Sequence, residues 1–387
     1  MSSVTLSAAT RQNLLSLQDT ASLTSTTQNR LSTGKKVSSA LDNPANFFTS
    51  QSLSNRSSDL GSLLDGISNG IQTIQAANQG LTSIQKLVDS AKSTANQALA
   101  TQITTSGTAK NTFASSVTAS SGTISLLVNG TAVTAAAATT DSIDTVIASL
   151  NTAVSAQGAG NAFTKDTTGT KIVVSGSADI EFATTADQTS LGFQAGTAPA
   201  AKYGTVSAAG QSGDLAVTGV KERAALSTQY NSLLTQIDQL AKDSSFNGVN
   251  LLSSSASTNK LHISFNEKDT SNVDIQGVDS TSTGLNLKAI AGDSGTTADG
   301  KGNFLLSTDI QSTLTSLTSA SSTLRSQAST FGSNLSVVQN RQDFTKQVIN
   351  VLDTGASNLT SADLNEEAAN SQALTTRQSL GISALSL

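Results

Sequence analysis

The sequence predicts a mainly α protein with an α+β insertion: a long antiparallel helical coiled-coil bundle with β-hairpins, and an outer β-rich domain set into it. Three observations predict this. A 3.5-residue apolar period runs without a slip over residues 310–363. A second stripe of the same kind, slipped once, runs over residues 60–98. Between the helical halves, residues 107–219 change to alternating, strand-like patterns punctuated by glycine turns.

The strongest stripe is Ile310, Leu314, Leu317, Ser321, Leu324, Ala328, Phe331, Leu335, Val338, Gln342, Thr345, Ile349, Leu352, Ala356, Leu359 and Asp363. Twelve of the sixteen are apolar in a chain that is only 36% hydrophobic. Such a sustained period marks a coiled-coil helix. At 1.5 Å per residue it would run roughly 80 Å, longer than a compact domain is wide. It needs an equally long partner.

Composition narrows the function. The chain of 387 residues is long enough for two or three domains. It has no Cys, no Trp, one His and 3% aromatics, poor material for an ordinary enzyme. The lack of Cys fits a place outside the reducing cytosol without disulfides. A net charge of −5 and the absence of a basic patch argue against nucleic acid as a partner. No run of eighteen apolar residues exists, so no membrane insertion is expected. The first residues lack the basic and apolar regions of a signal peptide, so export would need another route.

In chain order, residues 1–33 carry a thin heptad: Leu14, Leu17, Ala21, Thr24, Gln28, Leu31. That face buries too little area to hold a helix alone. We expect it to be disordered in the isolated chain and helical in an assembly, with Gly34 ending it. Asn43 as N-cap and Pro44 at the first helical position open the next helix. Its stripe is Leu60, Leu64, Ile67, Ile71, Ile74, Asn78 and Leu81, then, one residue out of register, Ile84, Val88, Ala91, Ala95 and Ala98. Gly61, Gly66, Gly70 and Gly80 each cost about 1 kcal/mol relative to Ala. Such a helix must pack on partners, which small residues allow to come close.

In the insertion, TISLLVNGTAV reads as two strands about an Asn129-Gly130 turn. Asp141 is expected to cap a short helix with Ile143, Val146, Ile147, Leu150 and Val154 on one face. TKIVVSGSADIEFA supplies more strands. A helical stripe returns at Leu226, Tyr230, Leu233, Ile237 and Leu240, followed by a packed turn at Phe246-Asn247-Gly248. KLHISFNE, NVDIQGV and GLNLKAI read as short strands. Gly355 is expected to interrupt the long helix, and a last helix carries Ala368, Ala369, Leu374, Leu380 and Leu385.

Residues that could carry chemistry are few. His262 has no second His or Cys near it in sequence and reads as structural. Glu366 and Glu367 would diverge by about 100° on a helix, which suits a helix N-terminus better than acid–base work. Gly158 and Gly160 are not a phosphate cradle, because no Lys-Ser/Thr follows. The Ser and Thr of residues 101–220 form either a hydrophilic surface or O-glycan acceptors. No catalytic, cofactor-binding or metal set is expected.

Four stretches carry a resemblance. RLSTGKKVSSALDNPANF at 30–47, QYNSLLTQIDQLAKDSSFNGVNLLS at 229–253 and ADLNEEAANSQALTTRQSLGISALSL at 362–387 resemble the signatures of bacterial flagellins. The inserted ISLLVNGTAV…DSIDTVIASLNTAV…GTKIVVSG resembles a module of flagellin and hook-protein outer domains. ALDNPANFFTSQSL looks alphaproteobacterial. The resemblance implies a subunit that polymerises with copies of itself into the flagellar filament for swimming. Residues 1–43 and 356–387 would pair as a terminal coiled coil lining the channel. Residues 44–106 and 220–355 would form a helical rod core, and residues 107–219 would project outward.

The resemblance also implies partners: the type III export apparatus and an export chaperone, the filament cap, and the hook–filament junction proteins. Expected subunit contacts are Leu14, Leu17, Arg30, Leu31, Asp42, Leu374, Leu380 and Leu385, with Arg30 and Asp42 flanking the terminal hinge. Weak or no Toll-like receptor 5 recognition is expected. In IQKLVDSA at 84–91, Lys86 and Val88 stand where many flagellins carry Arg, and Ser90 where they carry Leu. A hook–filament junction protein is the alternative in the same system. A secreted hydrolase on a coiled-coil scaffold is the alternative outside it, opposed by the single His and by an insertion whose one glutamate is Glu181.

Overall fold

The computed structural model describes residues 8–114, 122–196, 212–291, 296–297 and 300–386. The N-terminal half contains α1 (Ala8–Thr33), α2 (Pro44–Ala100), β1 (Thr104–Thr108), β2 (Thr123–Val128), β3 (Thr131–Ala136), α3 (Ile143–Ser155), β4 (Phe163–Lys165), β5 (Ile172–Gly176), β6 (Ile180–Phe182) and α4 (Thr185–Ser190). There follow β7 (Leu215–Thr218), α5 (Val220–Asp243), β8 (Ser245–Phe246), β9 (Val249–Asn250), β10 (Lys260–Ser264), β11 (Asn272–Gln276), β12 (Thr296–Thr297), β13 (Gly300–Lys301), α6 (Ser307–Thr360) and α7 (Leu364–Ser386). The predicted class holds: long helices, with antiparallel sheets in the insertion.

The long heptad is realised along α6. Every stripe position from Ile310 to Leu359 is buried or half-buried. Gly355 does not break the helix, as its position near the end had suggested. It lies inside α6, and Leu53 of α2 sits 3.5 Å from where its Cβ would be. The break falls at residues 361–363, where the Asp363 carboxylate accepts N–H bonds from Asn365 (2.9 Å) and Glu366 (3.3 Å) and caps α7.

Two compact units divide the chain. The first comprises Met1–Ile71, His262–Asp274 and Leu335–Leu387. In it Asn43 caps α2, its Oδ1 accepting the Asn46 N–H at 3.1 Å. α2 and α6 run antiparallel, with Leu53 against Gly355 and Gln342 donating to Ser68 Oγ at 2.9 Å. Ile263 of β10 occupies the side-chain space that Gly70 leaves open on α2, its Cδ1 2.5 Å from the missing Cβ.

In the same unit α1 pairs with α7. The sequence-based expectation that residues 8–33 are unstructured in a single chain is not met; α7 supplies the partner a lone helix lacks. The buried stripe also differs from the one anticipated. Thr20 and Thr27 are buried and Leu17, Thr24 and Arg30 half-buried, while Leu14, Ala21, Gln28 and Leu31 face out. On α7 the stripe is Glu367, Ser371, Leu374, Gln378 and Gly381, and Leu17 fills the space above Gly381.

The second unit comprises Gln72–Leu261 and Ile275–Asn334. Its α2 segment buries the predicted stripe together with Thr73, Ala77 and Gly80. Gly80 admits Ser244 and Leu252, the latter 2.7 Å from the absent Cβ. Asn78 is only half-buried while Ala77 is buried, so the register slip falls seven residues, about two turns, earlier than the apolar pattern suggests. On α5 the buried side is Ser227, Tyr230, Leu234, Ile237 and Ala241, with Leu226, Leu233 and Leu240 beside it.

The insertion is two antiparallel sheets, β4-β5-β1-β7 and β3-β2-β6, and α3 packs on an end strand of each, β3 and β4, and shares their core. Its core, including Ile124, Leu126, Val146, Leu150, Phe163, Phe182 and Phe193, is drawn only from residues 109–215. Asn129 and Gly130, both at positive φ (48° and 74°), make the predicted two-residue turn between β2 and β3. Ser142, not Asp141, caps α3, accepting the Thr145 N–H; Asp141 instead accepts from Ala138 N–H. GLNLKAI is not a strand but a turn followed by extended chain without a ladder.

Candidate assembly interface

The connectors of unit one form a hydrogen-bonded joint. Gly34, at φ 66°, ends α1 and donates to Arg30 O at 2.8 Å, a left-handed C-terminal turn that favours glycine. Lys36 N–H donates to Thr360 O (2.7 Å) and Ala362 N–H to Gly34 O (2.9 Å), so the exit from α1 pairs with the exit from α6. Asp42 accepts N–H bonds from Ser38 and Ser39 at 3.0 and 2.9 Å. Those bonds hold its carboxyl below the usual range. Asp42 therefore shapes the connector.

One ion pair locks the α1–α7 seam. Arg30 Nη1 reaches Glu367 Oε1 at 3.1 Å, and Glu367 is buried with its Oε2 unbonded. Glu367 thus serves the seam as well as the helix start. Among the other anticipated contact residues, Leu17 and Leu374 are half-buried in the seam, whereas Leu14, Leu31 and Leu380 point outward. The Leu385 side chain lies outside the described residues.

Exposed apolar bulk is confined to one unit. Among the described residues, every large hydrophobic side chain classed as exposed belongs to unit one: Leu14, Leu15, Leu23, Leu31, Leu41, Phe48, Val337, Phe344, Val351, Leu364, Leu380 and Ile382. Three of these, Val337, Phe344 and Val351, are spaced by seven on α6. With half-buried Val348 they form a second heptad seam beside the first. Sequence reading missed this seam, although its seven-residue spacing was there to find.

A groove of about 250 Å³ opens on this surface. Leu60, Phe265 and Thr345 form its buried floor, and Phe344 and Val348 its wall. Its charges are engaged: Arg56 meets Glu267 at 3.5 Å, and Arg341 lies 5.8 Å from the centre of the Phe265 ring.

Four other titratable residues are notable. His262 is not alone, because the hairpin brings Asp274 to its Nδ1 at 2.5 Å and Asp269 to its Nε2 at 3.0 Å. Both ring nitrogens then face carboxylates, which only the imidazolium satisfies as a double donor. The bond to Asp274, then that to Asp269, raises its pKa. Asp179 and Glu181 flank Ile180 on β6 and are both buried, and none of their four oxygens has a hydrogen-bond partner among the described residues. Burial raises both pKa values, and the nearby Asp179 charge adds to the rise at Glu181. Arg223 is buried where α5 begins, donating to Thr101 O (2.8 Å), Phe304 O (3.2 Å) and Leu305 O (3.0 Å). Among the described residues no group of three or more His, Cys, Asp or Glu side chains is arranged to hold a metal ion, and no helix is long and apolar enough to cross a membrane.

Residues 2–131 match the family model for the bacterial flagellin N-terminal helical region. The match covers α1, α2 and the first strands of the insertion. Over this N-terminal third the chain is similar to bacterial flagellins. The chain is 28% identical over 163 residues to flagellin FljM of Caulobacter vibrioides, covering 42% of this chain and 55% of the relative. To flagellin FljK of the same bacterium it is 29% identical over 165 residues, again 42% and 55%. The chain therefore spans about half the length of the curated flagellins it matches.

Proposed function

We propose that this chain is a flagellin that polymerises into the bacterial flagellar filament, outside the cell, as a structural subunit without enzymatic activity. The observation that carries this reading is the confinement of exposed apolar bulk to unit one. A monomeric protein rarely leaves such a surface open, and a repeated subunit contact would cover it. Residues 1–43 and 356–387 would form the terminal coil, 44–106 and 220–355 the helical core, and 107–219 the outward module. Leu14, Leu31 and Leu380, exposed in the single chain, would meet neighbouring subunits; Arg30 and Asp42 would fix the seam and the connector. Export through the flagellar secretion apparatus with a chaperone, and contacts with the cap and junction proteins, belong to the same reading. So does weak Toll-like receptor 5 recognition, with one sharpening. Lys86 and Ser90 are exposed but Val88 is fully buried, so only the first two stand where a receptor could touch.

The test is polymerisation of the purified full chain with seeds or precipitant, viewed by electron microscopy. Filaments are expected from the intact chain and none from a chain lacking residues 1–40. Equal polymerisation of the truncated chain would overturn the role given to the terminal helices.

A further inference from the structure

We propose that Phe48 of one copy seats in the groove walled by Phe344 and Val348 of a second copy. This rests on the filament reading and names one contact within it. Phe48 is 61% exposed on the first turn of α2. Phe47 braces it edge-to-face, with ring centres 5.6 Å apart, so the projecting ring is already ordered. Phe48 and Phe344 are the only aromatic side chains among the exposed large hydrophobics of the described residues. Phe344 is itself a wall of the groove, which leaves Phe48 as the aromatic knob. About 250 Å³ suits one such ring.

The residues nearest Phe48 on its helix face are the uncharged Gln51, Ser52 and Asn55, with Arg56 and Asp59 at the far edge of that surface, and the groove's Arg56 and Arg341 already lie on Glu267 and on the Phe265 ring. Phe48 does not line the groove of its own chain. Arg56 borders both surfaces, so knob and hole lie side by side on one molecule. One copy's knob in the next copy's hole, repeated along a series, gives an open polymer, whereas two copies that exchange knobs give a closed dimer.

The chain has no cysteine, which makes the test clean. Phe48→Cys and Phe344→Cys chains are prepared separately, and each is mixed at about one part in ten into wild-type chain. After polymerisation, a short bifunctional thiol linker is added. A cross-linked pair is expected only when both variants are present in one polymer. Leu41→Cys, the most exposed of the alternatives, is expected to cross-link to Phe344→Cys at least tenfold less. In the unmixed state, Phe48→Ala is expected to raise the critical concentration about tenfold, with Phe48→Leu recovering most of it. A normal polymer in which Phe344→Cys joins Leu41→Cys, or neither, overturns this contact and leaves the filament reading standing. Failure of the wild-type chain to polymerise overturns the filament reading itself.

Discussion

At the residue scale, buried charge is the feature sequence reading could not supply. Asp179 and Glu181 look like ordinary strand-edge acids, and only the pairing of β6 with β2 and the cover over that face bury them. Two buried carboxyls without partners are stable only when protonated. Their folded pKa values are raised, to about 7 and about 9, from 3.8 and 4.5. The folded module therefore binds protons that its unfolded chain releases. The stability this gives is complete below about pH 4 and is lost as pH rises through 7 and 9. Calorimetry should show the insertion's melting temperature falling between pH 5 and 9, and Asp179→Asn with Glu181→Gln should flatten that slope. An unchanged slope in the double variant would rule these residues out as its source. His262 differs because its partners were legible in principle: alternation along β10 and β11 puts His262 and Asp274 on the same outward face. As the only histidine it gives one NMR titration. Its midpoint should lie above the ordinary imidazole value, and Asp274→Asn should lower it. The hairpin stability it contributes is full below about pH 6.5 and is lost as pH rises through the raised pKa.

At the scale of the element, the long helices were legible because many apolar residues repeat on one period, and averaging over seven turns or more hides single exceptions. The terminal helices were not. Their seam is made of Thr20, Thr27, Glu367 and Gly381, so a search for leucines selected the wrong face of α1. The glycines of α2 separate into two kinds that sequence alone treats alike. Gly61 and Gly66 have open space where a Cβ would stand, whereas Gly70 and Gly80 have Ile263 and Leu252 there. Gly61→Ala should stabilise the protein by roughly 0.5–1 kcal/mol, the helix-propensity gain. Gly80→Ala gains the same propensity but must displace Leu252 and Ser244, an overpacking cost of about 1–3 kcal/mol that outweighs it. Urea midpoints of the two variants should move in opposite directions; two shifts of the same sign would show that packing at Gly80 relaxes more easily than its neighbours suggest.

For the whole molecule, the nesting of a β-rich insertion within helices was legible because the hydrophobic period changes from 3.5 to 2 and back. The division into two units was not, because α2 and α6 show no break where the units part. We infer that the insertion is a separable module. Among the described residues its core draws on none outside 109–215. Its entry and exit strands also pair: Thr104 stands opposite Thr218, their hydroxyls 2.8 Å apart. Below that pair, Arg223 ties Thr101 to Phe304 and Leu305, and Ile103 packs on Val220 and Leu305, so the base is held by groups outside the module. Opposed antiparallel residues can be joined by a two-residue Asn-Gly turn. A chain in which Asn-Gly replaces residues 105–217 should therefore keep its helical circular dichroism and still polymerise, while a fragment of residues 102–219 should fold alone with a cooperative melt. Arg223→Ala in the shortened chain should then lower its stability by several kcal/mol, because three buried carbonyls lose their donor together. Loss of helix in the shortened chain, with Arg223 intact, would mean that the module is part of the core it stands on.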